Sequence, residues 1–130
     1  MQKPTLLCIG MDPAAVTRLS FPAMGMGVAL QTVPREKWGQ TLGALCGLDA
    51  PKPSCPPEQI GEGMLVMAFF GGALMDRWLK EMRACGVSAP LKAVLTPHNR
   101  FWTCGRLYLE LSREAAYFRA RDRAAEDARP

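Results

Sequence analysis

No glycine in this chain is followed by Lys-Ser or Lys-Thr, so the loop that cradles nucleotide phosphates is excluded. The dinucleotide fingerprint is missing as well. It needs three spaced glycines directly after a strand, and the first strand-like run is followed by Gly10 alone, while Met24-Gly25-Met26-Gly27 precedes a strand instead. A phosphate-accepting receiver site needs clustered carboxylates, and Asp12 stands alone. A cysteine phosphatase needs arginine six residues after its thiol. Cys8, Cys85 and Cys104 are followed at that offset by Ala14, Leu91 and Glu110.

The sequence has one histidine, His98, and no C-x-x-C. Tetrahedral zinc spacing therefore cannot be assembled from neighbouring residues, and neither a metal nor a cofactor is expected. The cysteines number five, an odd count, and none lies closer than nine residues to the next. Disulfide frameworks belong to small secreted chains, so these read as free thiols in a reducing compartment. The longest apolar run, Met64–Met75, is about half a membrane span. The apolar stretch near the N-terminus is too short for a signal-peptide core, and Asp12 follows it. A cytoplasmic location is expected, with no membrane association.

What is present is ordinary for a globular domain. The chain is 130 residues long, 48% hydrophobic and 22% charged, enough for one domain spanning residues 1–130 with a real core. The formal net charge is +4. The basic residues run from Lys3 to Arg129 with acids among them, so no concentrated basic face marks a nucleic-acid binder.

Strand and helix signals alternate along the chain. Thr5–Ile9 reads as a buried strand, and Asp12-Pro13 as an N-cap with proline at the first helical position. That helix is predicted to stop near Phe21-Pro22. Val28–Val33 is a second strand. Pro34 opens a second helix with Trp38, Leu42 and Leu45 on one face. Asp49–Gly63 holds four prolines and reads as a long surface loop. Met64–Phe70 shows no alternation, as expected of a strand buried on both faces. A third helix carries Leu74, Trp78, Met82 and Cys85 on one face and ends at Gly86. Leu91–Thr96 is a fourth strand. Thr103 caps a last helix with a Leu107, Leu111, Ala115, Phe118 stripe. Residues 119–130 lose the stripe and read as a frayed polar tail, with Arg119–Asp122 and Arg123–Asp127 at ion-pair spacing. No internal repeat is evident in the residues.

This alternation predicts an α/β fold, a three-layer α/β/α arrangement around a short, mainly parallel four-stranded sheet of order 2-1-3-4. A ferredoxin-like α+β fold is the fallback. In a doubly wound sheet, ligands bind where strand carboxyl ends meet helix N-termini. The ligand-binding candidates at that edge are Asp12, Thr96, His98, Asn99, Arg100 and Trp102. Trp102 also fits a hydrophobic staple against Leu107. No residue is assigned a catalytic role. His98, the one imidazole and so the side-chain type whose unperturbed pKa lies near neutrality, and Cys104, beside a helix start, are the residues an enzyme would use.

The segment L-K-A-V-L-T-P-x-N-x-x-W-T, carried by Leu91, Lys92, Ala93, Val94, Leu95, Thr96, Asn99, Trp102 and Thr103 and followed by Glu110 and Leu111, resembles a small uncharacterised bacterial domain of unknown function. The resemblance implies no activity, cofactor or catalytic residue. The sequence thus leads to a non-enzymatic cytosolic domain binding a protein partner or small ligand at the strand-end edge. The alternative is an enzyme using His98 or Cys104. A homodimer is a further possibility.

Overall fold

Met64–Ala68 (β3) lies inside the sheet, and all five of its residues are buried. The computed structural model describes residues 2–56, 58–87 and 91–127. Before β3 come β1 (Thr5–Ile9), α1 (Pro13–Gly25), β2 (Ala29–Val33), a 3-10 turn (Arg35–Lys37) and α2 (Leu42–Leu45). After it come α3 (Gly72–Ala84), β4 (Leu91–Val94), a second 3-10 turn (Asn99–Phe101) and α4 (Cys104–Asp127).

The sheet order is β2-β1-β3-β4, as predicted. Its directions are mixed. β1 pairs in parallel with β2, and β3 in parallel with β4, but β1 and β3 are antiparallel, with Leu7 opposite Val66. The expectation of one mainly parallel sheet with a shared carboxyl edge is therefore corrected at its centre. The physical reason is the route of the 34–63 connection. It delivers β3 to the end of the sheet where β1 leaves, so that a Cβ on Gly63 would overlap the Met11 sulfur and crowd the Gly10 carbonyl. A strand buried on both faces carries no alternation to reveal which way it runs.

Successive strand residues feed two cores. Leu6, Cys8, Leu65 and Met67 join Leu19 and Ala23 of α1 and Trp78 and Met82 of α3. Leu7, Ile9, Met64, Val66 and Leu91 join Leu42 of α2 and Cys104 and Leu107 of α4. Helices thus cover both faces.

Three helix expectations change. α1 does not stop at Pro22 but continues through it to Gly25. Burial of Ala23 against the sheet holds the last turn, which closes through Met26 N–H to the carbonyls of Pro22 and Ala23. The helix predicted from Pro34 is split. Thr41 is extended, forms an isolated bridge to Thr103 and caps the single turn of α2. Gly39 lies where a Cβ would collide with Cys55 and Pro56, so it admits the proline-rich loop. Finally, α4 continues past Arg119 as helix to Asp127, with residues 116–127 exposed; the last three positions of the tail expected to fray lie outside the described residues. The Arg119–Asp122 and Arg123–Asp127 pairs are not formed; Arg100–Asp49 is the ion pair among the described residues.

The order strand, thirteen-residue helix, strand, 3-10 turn, helix occurs twice. The architecture repeats although few residue identities do.

Candidate functional site

The strand directions divide the sequence-predicted site in two. Asp12 sits at the carboxyl end of β1, exposed, capping α1 without a side-chain hydrogen bond. Thr96, His98, Asn99, Arg100 and Trp102 follow β4, which runs opposite to β1. Asp12 is therefore not part of a common site with the other five.

At the β3 and β4 ends lies a recess of about 270 Å³ lined by Leu48, Phe69, Phe70, Val94, Leu95, Thr96, Pro97 and Arg100. Phe69 ends β3 with φ +64°, a left-handed conformation rare for a bulky side chain. That backbone turn costs of order 1–3 kcal/mol and re-aims the chain toward the N-terminus of α3. Phe70 is fixed edge-on against Trp78, with ring centroids 6.2 Å apart.

The turn after β4 is held by reciprocal bonds. The Thr96 amide donates to Asn99 Oδ1 (2.8 Å), the Asn99 amide donates to Thr96 Oγ1 (3.0 Å), and Asn99 Nδ2 donates to the Val94 carbonyl (2.9 Å). Asn99 is the buried polar side chain of the described core. Its hydrogen-bonding capacity is largely used inside the turn, so it builds the site more than it offers itself to a ligand. Arg100, next in the chain, reaches Asp49 through two bonds, Nη2 to Oδ1 at 2.5 Å and Nε to Oδ2 at 3.2 Å. The paired guanidinium holds the Asp49 carboxyl below the usual carboxylate range and raises Arg100 further above its own. One wall of the recess is thus a neutralised ion pair, and the others are apolar apart from Thr96.

His98 is exposed and meets Trp102 edge-to-face at 5.3 Å. Trp102 is half-buried in the same core as Leu107, as the staple predicted, and carries the Arg106 guanidinium 4.8 Å over its ring. Neither residue lines the recess. Cys104 is fully buried, and its thiol is pushed up to about 12, chiefly by desolvation. A thiol so placed holds almost no thiolate at neutral pH, which removes the electronic basis for nucleophilic use. Among the described residues, no group of three or more His, Cys, Asp or Glu side chains is placed to hold a metal.

A second, shallower groove of about 480 Å³ runs between the proline-rich loop and α4, lined by Glu58, Gln59, Thr103, Gly105, Arg106, Tyr108 and Leu109. Thr103 Oγ1 donates to Glu58 Oε1 at 2.7 Å, tying that loop to the helix cap.

Leu48, Asp49 and Phe69 are site residues that sequence reasoning missed; Phe70 closes the strand predicted over Met64–Phe70, whose carboxyl end belongs to the expected ligand edge. Asp49 could not have been found: it lies 51 residues from Arg100 and begins a loop read only for its prolines.

The fold and recess together define a small mixed α/β domain with one largely apolar concavity at a strand-end edge. Residues 63–118 match the family model described as Domain of unknown function (DUF3783), and the segment Leu91–Leu111 that carried the resemblance lies within that span. No curated protein and no solved structure matches the chain.

Proposed function

We propose that this chain is a non-enzymatic binding domain, and that the recess between the β3 and β4 ends takes a small apolar ligand or an apolar side chain of a partner protein. The observation that carries this reading is the wall composition. Phe69, held at φ +64°, Phe70, Leu48, Val94 and Leu95 present apolar surface, while the charge of Arg100 is already matched by Asp49. Ligand pockets are mostly apolar with a few fixed polar groups, here Thr96 and the ion pair. The alternative, an enzyme using His98 or Cys104, gains no support from an exposed imidazole set edge-to-face against Trp102 or from a sealed thiol. We further infer a cytoplasmic location, since all five thiols are free. No helix among the described residues is long and apolar enough to cross a membrane.

The test is a nuclear magnetic resonance titration of the intact chain with small apolar fragments such as indole and isobutane-sized alcohols. Shifts are expected at Leu48, Phe70, Val94 and Thr96, and a recess-filling Thr96→Tyr variant should abolish them. Fragments that shift only the Glu58–Tyr108 groove, or that shift nothing, would sink the proposal.

A further inference from the structure

The repeated order of elements is exact enough to be numbered. Residue n of the first half corresponds to n + 59 of the second from β1 to the start of the next connection. Thr5–Ile9 becomes Met64–Ala68, and α1, Pro13–Gly25, becomes α3, Gly72–Ala84, with equal length. The left-handed residues coincide: Gly10 (φ +65°) with Phe69 (φ +64°), and Gly27 (φ +69°) with Gly86 (φ +70°). So do the buried helix and post-helix positions, Leu19 with Trp78, Ala23 with Met82, and Val28 with Val87. A bulky residue at positive φ is otherwise hard to explain. At Phe69 it reproduces a turn that glycine makes without strain in the other half.

The pairing between the halves has the symmetry such an equivalence demands. In the antiparallel register Thr5 faces Ala68 and Ile9 faces Met64, two pairs that exchange under the shift of 59. Leu7 faces Val66, a pair that maps onto itself. Past the helices the shift grows to 62, since Ala29 pairs with Thr5 as Leu91 pairs with Met64, and under that shift the Thr41–Thr103 bridge maps onto itself. Backbone hydrogen bonds cross it in both directions. Leu42 N–H donates to the Trp102 carbonyl (2.9 Å), and Cys104 N–H donates to the Trp38 carbonyl (3.1 Å). The residues are T-L-G-A-L at Thr41–Leu45 and T-C-G-R-L at Thr103–Leu107. A Cβ on the glycine would overlap a carboxylate in both, Asp49 in the first and Glu58 in the second.

We propose that the chain is two tandem copies of one self-associating β-α-β-α unit, and that the surface formed by β3, Trp102 and Thr103 is built to dock a second copy of that unit. In this protein the first half is that copy, held by the 46–63 connection. An isologous contact is self-complementary, with each residue meeting its own equivalent or exchanging partners across the axis, as the registers here do. The family match gives an independent sign. Its span, 63–118, begins one residue before β3 and ends within α4, so it covers the second unit and none of the first.

The experiment uses the whole chain with a specific protease site inserted between Pro53 and Ser54, both exposed. The folded protein is cut, and native mass spectrometry follows the fragments to equilibrium. The proposal expects a one-to-one pair at the mass of the uncut chain, and beside it a species at twice the mass of the second fragment. Hydrogen exchange on that doubled species should protect the β3 amides as in the intact chain. A one-to-one pair with no doubled species overturns it, because the β3 surface would then fit the first half alone. Fragments that part and unfold on cutting overturn it equally, because covalent continuity would then hold the halves together.

Discussion

Thr41 and Thr103 lie opposite each other in an antiparallel bridge, and each hydroxyl accepts a hydrogen bond from the amide three residues ahead, Ala44 and Arg106, at 3.1 Å. Loss of a threonine cap costs about 1 kcal/mol. Thr41→Ala should therefore lower unfolding stability by about that amount. Thr103→Ala should cost more, about 2 kcal/mol, because it also strands the Glu58 carboxylate that its hydroxyl serves. Urea unfolding followed by circular dichroism measures both. Equal losses would show that the Glu58 contact contributes nothing.

Asn99 holds the turn after β4 with three hydrogen bonds in a buried setting. Asn99→Ala should destabilise the protein by roughly 2–4 kcal/mol, since it leaves the Thr96 amide and the Val94 carbonyl without their partner. Asn99→Asp should cost less, because one carboxylate oxygen can still accept from Thr96. Thermal melts of the two variants check the order.

The Asp49–Arg100 pair makes stability depend on acid. The folded-state pKa of Asp49 is depressed, first by its hydrogen bond to Arg100. A depressed carboxyl contributes stability that is fully present above the unfolded-state value and is lost as pH falls through the folded one. Asp49→Asn should melt below the wild type at neutral pH. The gap should close as pH drops through the acid range. A gap that stays constant to the lowest pH at which the protein folds would refute the assignment.

The five free thiols should react in two groups. Burial pushes Cys8 and Cys104 up to about 12 and Cys46 to about 11, leaving little thiolate at pH 8. Cys55 and Cys85 are half-buried, within reach of a reagent from solvent. A chromogenic disulfide reagent should therefore label Cys55 and Cys85 first in the native protein and reach all five in guanidinium. Peptide mapping by mass spectrometry identifies the sites. Rapid native labelling of Cys104 would contradict its burial.

Much of the architecture was legible because it is local. Thr5–Ile9 and Met64–Ala68 are apolar runs bounded by breakers, Gly86 is a helix end, and Thr103 caps as its position suggests. The sheet order also agreed. What failed was long-range. The direction of β3 depends on where residues 34–63 deliver it, which no periodicity records. The break at Thr41 arises from a bridge to Thr103, 62 positions away in the chain, and overrides a good helical stripe at Trp38, Leu42 and Leu45. Of the candidate site, Thr96 and Arg100 line the recess, while His98 and Trp102 meet edge-to-face beside it and Asp12 lies at the other end of the sheet. The duplication was hidden because, outside the Thr-x-Gly-x-Leu segments at Thr41–Leu45 and Thr103–Leu107, equivalent positions share burial and backbone geometry rather than identity: leucine answers to tryptophan at Leu19 and Trp78, and glycine to phenylalanine at Gly10 and Phe69.

The antiparallel pairing of β1 and β3 also fixes the electrostatics of the helices laid over them. α1 and α3 each run back along the strand before them, so these neighbours on one face point in opposite directions. Each helix places about half a positive charge at its start and half a negative charge at its end. In a wholly parallel sheet those starts would gather along one rim and draw anions there. Here the two dipoles lie head to tail and largely cancel. On the face they share, α1 and α3 therefore give neither rim a standing positive field.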